Sequence, residues 1–99
     1  MVQISECECK KRFATSINSI ENFQKIKAFF DRQVKIEVYE DIPVAIPYYI
    51  GKGSRNLQWF ADKWYKCKVC GCLWEFVYPD FPAQGFTRKF PDGKYKTKG

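Results

Sequence analysis

Five cysteines stand in two groups, Cys7 and Cys9 near the amino terminus and Cys67, Cys70 and Cys72 about sixty residues later, in a chain with no histidine. An odd number of thiols cannot pair completely, and in a reducing compartment clustered thiols serve as metal ligands more often than as disulfides. Cys67-Lys68-Val69-Cys70-Gly71 has the spacing that lets two thiolates reach one ion from a tight turn, with the glycine relieving the backbone after the second ligand. Tetrahedral closure at about 2.3 Å Zn–S needs two further ligands, and without histidine these must be cysteines or carboxylates. Cys7 and Cys9 are the natural pair, so the expected site is one structural Zn2+ on Cys7, Cys9, Cys67 and Cys70. Cys72 competes for a place in it. On a strand it would share a face with Trp74, Phe76 and Tyr78, where a cysteine equally serves as a small buried apolar residue.

Such a site would tie the amino terminus to a hairpin far along the chain, so that metal affinity becomes folding free energy. Four thiolates also close the coordination sphere, which suits a structural ion and not a catalytic one.

The chain has 99 residues, enough for one modest core, and 45% apolar content with 18% aromatic residues is that of a folded domain. No apolar run approaches the roughly 18 residues that cross a bilayer. The amino-terminal sequence places acids and cysteines where a signal peptide needs an apolar stretch, so the expected location is cytoplasmic. The net charge is +6 and unevenly spread, because residues 88–99 hold five Lys or Arg against one Asp.

Asn18 followed by Glu21 fits a capping box, and Ile20, Phe23, Ile26 and Phe30 recur at helical spacing, predicting a helix from Ser19 to Arg32. Val34, Ile36 and Val38 then alternate with polar or amphipathic residues, predicting a strand. A long connection with Pro43, Pro47, Gly51 and Gly53 follows, then strand-like residues at Leu57 and Trp59 and a hairpin from Trp64 to Phe76 around the cysteine turn. The expected fold class is α+β, one helix packed on a small antiparallel sheet with a zinc-ribbon-like knuckle. The expected domain is 1–90. Residues 91–99 read as a basic, flexible and dispensable tail.

Catalytic groups are hard to find. The commonest general base is missing, no paired carboxylates or Ser/Lys pattern replaces it, and Gly51-Lys52-Gly53-Ser54 lacks phosphate-loop spacing, so the chain is not expected to be an enzyme. Eleven of the 18 aromatics lie beyond residue 55, interleaved with Lys63, Lys66, Lys68 and Arg88. Exposed on one face, they would stack bases and neutralise phosphates; Trp59, Trp64, Trp74 and Phe76 can equally be core.

The run Tyr65-Lys66-Cys67-Lys68-Val69-Cys70-Gly71-Cys72-Leu73-Trp74-Glu75-Phe76-Val77-Tyr78-Pro79 resembles a segment of small bacterial immunity proteins from polymorphic and contact-dependent toxin systems. There a Tyr-x-Cys-x-x-Cys-Gly knuckle is followed by Trp-Glu and a Tyr-Pro turn. The resemblance covers about fifteen of the 99 residues. It implies a protein that binds and neutralises one cognate toxin domain without chemistry of its own; nuclease immunity proteins are usually acidic, so the basic charge of this chain asks for an acidic toxin or for binding away from the toxin's active site. The alternative is a nucleic-acid-binding zinc-ribbon regulator. Interface anchors are expected among Tyr48, Tyr49, Tyr78, Phe81 and Phe86, rings set in loops where they are hard to bury.

Overall fold

The computed structural model describes Cys9 and residues 11–51, 57–80 and 83–97. It is an α+β fold: strand β1 (Thr15–Ile17), helix α1 (Ile20–Lys35), then β2 (Tyr39–Ile42), β3 (Tyr49–Ile50), β4 (Gln58–Trp59), β5 (Lys63–Cys67), β6 (Leu73–Val77) and β7 (Gly85–Phe90). Five strands form one sheet in the order β1-β7-β6-β5-β2, every neighbouring pair antiparallel, while β3 and β4 pair with each other as a separate ribbon.

The helix begins one residue later than the capping-box reading. Ser19, not Asn18, is the cap: its backbone is extended and its Oγ accepts from the Asn22 amide at 3.1 Å. The helix also runs three residues past Arg32. Val34 lies in its last turn, and Ile36 closes it by donating to the Arg32 carbonyl at 2.9 Å. The strand expected over Val34 to Val38 is therefore corrected. Gln33 and Val34 continue the inward stripe of Phe23, Ile26 and Phe30, so tertiary burial overrides local alternation. Glu37, at φ 65°, turns the chain, and β2 starts at Tyr39.

Strand β6 is the centre of the molecule, with all five residues buried. Its side chains alternate between two cores. Trp74 and Phe76, with Cys72 just before them, face the helix and pack with Ile17, Phe30, Tyr39 and Tyr65. Phe30 stacks on Tyr65 at 4.6 Å between centroids. Leu73 and Val77 face the other way, into a second cluster with Trp64, Ala61 and Phe90 that Ile42, Val44, Tyr48, Phe86 and Tyr95 help to cover. The antiparallel hairpin, its turn at Cys67 to Gly71 and the shared face of Cys72, Trp74 and Phe76 agree with the sequence reading. Gly85 has to be glycine, because a Cβ there would stand 2.3 Å from the Val77 carbonyl oxygen.

Glu75 lies on the second face, fully buried. One carboxylate oxygen accepts from Arg88 Nε at 2.5 Å and the other from the Tyr95 hydroxyl. Arg88 also donates to the Tyr95 hydroxyl and to the Lys96 carbonyl, both at 2.9 Å. Tyr95 packs its ring on Trp64 at 4.4 Å, and the Thr97 hydroxyl donates to the Pro47 carbonyl. The segment read as a tail is thus held to the sheet through Tyr95 and to the connection before β3 through Thr97.

Candidate metal centre

The turn between β5 and β6 gathers cysteine sulfurs into a cradle. Gly71 adopts φ 81°, the left-handed conformation that glycine takes without a Cβ penalty. Its amide donates to the Cys67 carbonyl at 3.0 Å, and the Cys67 amide donates to the Cys72 carbonyl at 2.8 Å, closing the hairpin. Inside this loop the Val69 amide points at Cys67 Sγ, 3.4 Å away, joined by the Cys70 amide. Two backbone N–H groups aimed at one sulfur favour its anionic form.

Cys9 is brought to the cradle from the far end of the chain. The Sγ atoms of Cys9, Cys67 and Cys70 all lie within 4.8 Å of one another. Tetrahedral thiolates around one zinc stand about 3.8 Å apart, from a Zn–S bond of about 2.3 Å, so the three sulfurs are close enough to hold a metal ion. Cys9 Sγ receives the Trp74 indole N–H at 3.4 Å and shares a 3.3 Å hydrogen bond with the Tyr39 hydroxyl. Indole N–H can only donate, and a phenol beside a thiolate donates as well. Lys89 fixes the backbone of this segment through the carbonyls of Cys9 and Arg12.

Of the four expected ligands, the structure gathers Cys9, Cys67 and Cys70, with Cys9 and Cys67 buried and Cys70 exposed. Cys7 lies outside the described residues. Cys72 is buried in the helix-facing core and stands outside the three-sulfur set, its thiol directed at the Leu73 carbonyl 3.8 Å away. The contribution of Tyr39 and Trp74 was not read from the sequence. Trp74 carried a signal in its alternation with Cys72, whereas nothing local marks Tyr39, which reaches Cys9 only because β2 pairs with β5.

In the metal-free chain, burial pushes the Cys67 thiol up to about 12, against the opposing pull of the Cys70 and Val69 amides. Burial likewise raises Cys72 to about 12, helped by its Cys9 neighbour. The Tyr39 phenol is raised by burial and then by its hydrogen bond to Cys9. These groups hold their protons at neutral pH without a metal. A cation bound by Cys67 must displace its proton.

The aromatic residues considered for base stacking are mostly spent elsewhere. Trp64, Trp74 and Phe76 are core, and Trp59 is the exposed member of that set. Among the proposed anchor rings, Tyr49 is exposed, Tyr48 and Phe86 pack edge to face at 5.3 Å, and Tyr78 leans on Phe23 at 5.1 Å. Phe81 lies outside the described residues.

No helix among the described residues is long and apolar enough to cross a membrane. Compared with protein-family models, curated proteins and solved structures, the chain matches none.

Proposed function

We propose that this protein is a metal-stapled binding module of the immunity type, in which one zinc ion on cysteine thiolates secures the fold and a cognate toxin domain is bound stoichiometrically. The observation that carries the reading is the convergence of Cys9, Cys67 and Cys70 with hydrogen-bond donors already aimed at their sulfurs. Isolated buried thiols need no such donors. A soft all-sulfur donor set without imidazole suits zinc among the common divalent ions.

Cys9, Cys67 and Cys70 would hold the ion, with Cys7 the expected fourth ligand. The ion would supply cross-linking of the amino-terminal segment to the β5–β6 turn. Trp74 and Tyr39 orient Cys9 and compensate its charge, as outer partners of metal ligands do. Cys67 is served by its own turn. A carboxylate available for acid–base work is not offered by Glu75, since Arg88 and Tyr95 occupy both of its oxygens.

Toxin binding is supported by the resemblance around Tyr65 to Pro79, and the basic charge asks for an acidic toxin surface or for binding away from the toxin's active site. Two measurements test the proposal. Elemental analysis of reduced, freshly purified protein should find close to one zinc per chain, and Co2+ substitution should give the intense thiolate charge-transfer bands of a sulfur site; absence of metal refutes the staple. Co-expression with a toxin domain encoded beside it should restore growth and give a one-to-one complex by size exclusion. If that fails while a salt-sensitive complex with RNA or DNA forms, the immunity reading is wrong and the nucleic-acid reading replaces it.

A further inference from the structure

Among the described residues, exposed apolar side chains are concentrated on one element. Ile46, Tyr49, Ile50, Leu57, Trp59 and Phe60 are each between 42% and 53% exposed, and all belong to the β3–β4 ribbon or its immediate flanks. Among the described residues, the other large exposed apolar side chains, Phe13, Ile20, Ile36 and Val69, sit singly on four separate stretches of chain. Scattered exposure is ordinary, whereas this ribbon carries exposed apolar residues on both faces, with Tyr49, Leu57 and Trp59 together on one of them.

The ribbon is ordered well enough to present them. Tyr49 lies opposite Trp59 with ring centroids 5.3 Å apart, and a Cβ on Gly51 would stand 3.1 Å from the Trp59 ring, so the indole lies along the backbone. The Tyr48 amide donates to the Trp59 carbonyl at 2.8 Å and the Gly51 amide to the Leu57 carbonyl at 2.7 Å, extending the pairing at both ends. Tyr48 anchors the root by packing on Phe86.

Charge identifies the occupant. Residues 46–60 contain Lys52 and Arg55 and no acid. The carboxy-terminal segment returns to the ribbon's root, where Thr97 Oγ1 meets the Pro47 carbonyl at 3.1 Å, bringing exposed Lys94 and Lys96 on the same stretch of chain. With Lys94 and Lys96 on the chain that meets its root, the apolar ribbon fits a protein surface that is apolar at its centre and acidic at its rim. A second copy would bring like charge against like.

We infer that the β3–β4 ribbon is the docking surface, inserting Trp59 and Tyr49 into an apolar cleft of an acidic protein partner while Lys94 and Lys96 engage its carboxylates. The inference rests on the protein-binding reading above and locates the interface within it. Buried aromatic anchors dominate such interfaces, and rim cations act mainly on association rate.

The experiment measures binding of the toxin domain encoded beside this chain to wild type, to Trp59→Ser/Tyr49→Ser and to Lys94→Glu/Lys96→Glu, with zinc content and melting point recorded for each. The aromatic double variant should weaken binding by about 100-fold or more at unchanged zinc content. The lysine variant should slow association by about 10-fold at low salt and lose that deficit at high salt. If the aromatic variant fails to fold, Leu57→Ser takes its place, because Leu57 lies on the same face as Trp59, and it too should weaken binding, by about 10-fold. Undiminished binding by folded ribbon variants overturns the interface and leaves the binder reading standing. No binding by wild type overturns both. A wild-type dimer that the ribbon variants turn into a monomer assigns the surface to a second copy and overturns the acidic partner.

Discussion

The β5–β6 hairpin and the β3–β4 ribbon are both antiparallel pairs rich in aromatic and branched residues, but their surroundings are opposite. All five residues of β6 are buried, whereas both residues of β3 and both of β4 are exposed. β6 lies between β5 and β7, with a core on each face and a thiolate cradle at its turn. The ribbon pairs only with itself among the described strands. The difference teaches that apolar composition alone does not make a core. A strand becomes core when neighbours cover both faces, and apolar side chains without such cover remain available to a partner.

Substitutions should reproduce this contrast as a gradient of stability. The largest effect is expected at the cradle: Cys67→Ser or Cys9→Ser should abolish stoichiometric zinc binding and lower stability by several kcal/mol, on the order of a lost structural metal ligand. Thermal melts with and without chelator check this. Wild type in excess chelator should approach the variant, and a variant retaining wild-type stability would refute a metal staple. Cys72→Ser should leave zinc content unchanged, since its sulfur stands outside the three-sulfur set.

Next comes the buried ion pair behind β6. Arg88→Ala leaves the fully buried Glu75 without its cation, and removing one partner of such a pair costs about 3–5 kcal/mol. Chemical denaturation measures it, and a loss below about 1 kcal/mol would show that water reaches the carboxylate.

Truncation after Phe90 removes Tyr95, its ring contacts with Trp64 and Phe90, and its hydrogen bond to Glu75. Burial of one aromatic side chain is worth about 1.5–3 kcal/mol, or roughly 6 to 20 °C of melting temperature in a domain of this size. The tail read as dispensable from sequence should therefore prove stabilising. Tyr95 also gives a pH signature. Burial and the Glu75 hydrogen bond raise its phenol pKa above the usual value near 10. The folded state therefore keeps the proton while the unfolded chain ionises, so this contribution is complete below about pH 10 and declines as pH rises. Tyr95→Phe should flatten that alkaline decline, measured as melting temperature against pH.

The smallest effect on stability should come from the ribbon. Ile50→Ser or Trp59→Ser should change unfolding free energy by about 1 kcal/mol or less, because neither side chain lies in a buried cluster. A loss as large as that at Arg88 would mean that the ribbon is part of the core and would remove the contrast.

Much of this architecture could be read from residues alone because it is local. The α1 stripe of Phe23, Ile26 and Phe30, the C-x-x-C-G turn and the alternation from Cys72 to Phe76 each express a short-range geometric requirement of helix, knuckle or strand. Where two local signals overlapped, sequence was a poor guide. Val34 satisfies both a helical and a strand period, and only the cover that the sheet gives to the inner face of α1 decided for helix. Tertiary structure alone decided which distant residues meet: the Tyr39 hydroxyl and the Trp74 indole at Cys9, Tyr95 on Glu75, and the exposure of Trp59 beside the burial of Trp64. Each depends on strand order and register, which position residues 20 to 80 apart in sequence, such as Tyr95 with Glu75 and Lys89 with Cys9. No local pattern encodes that pairing, because the energy that selects it comes from the simultaneous burial of both partners.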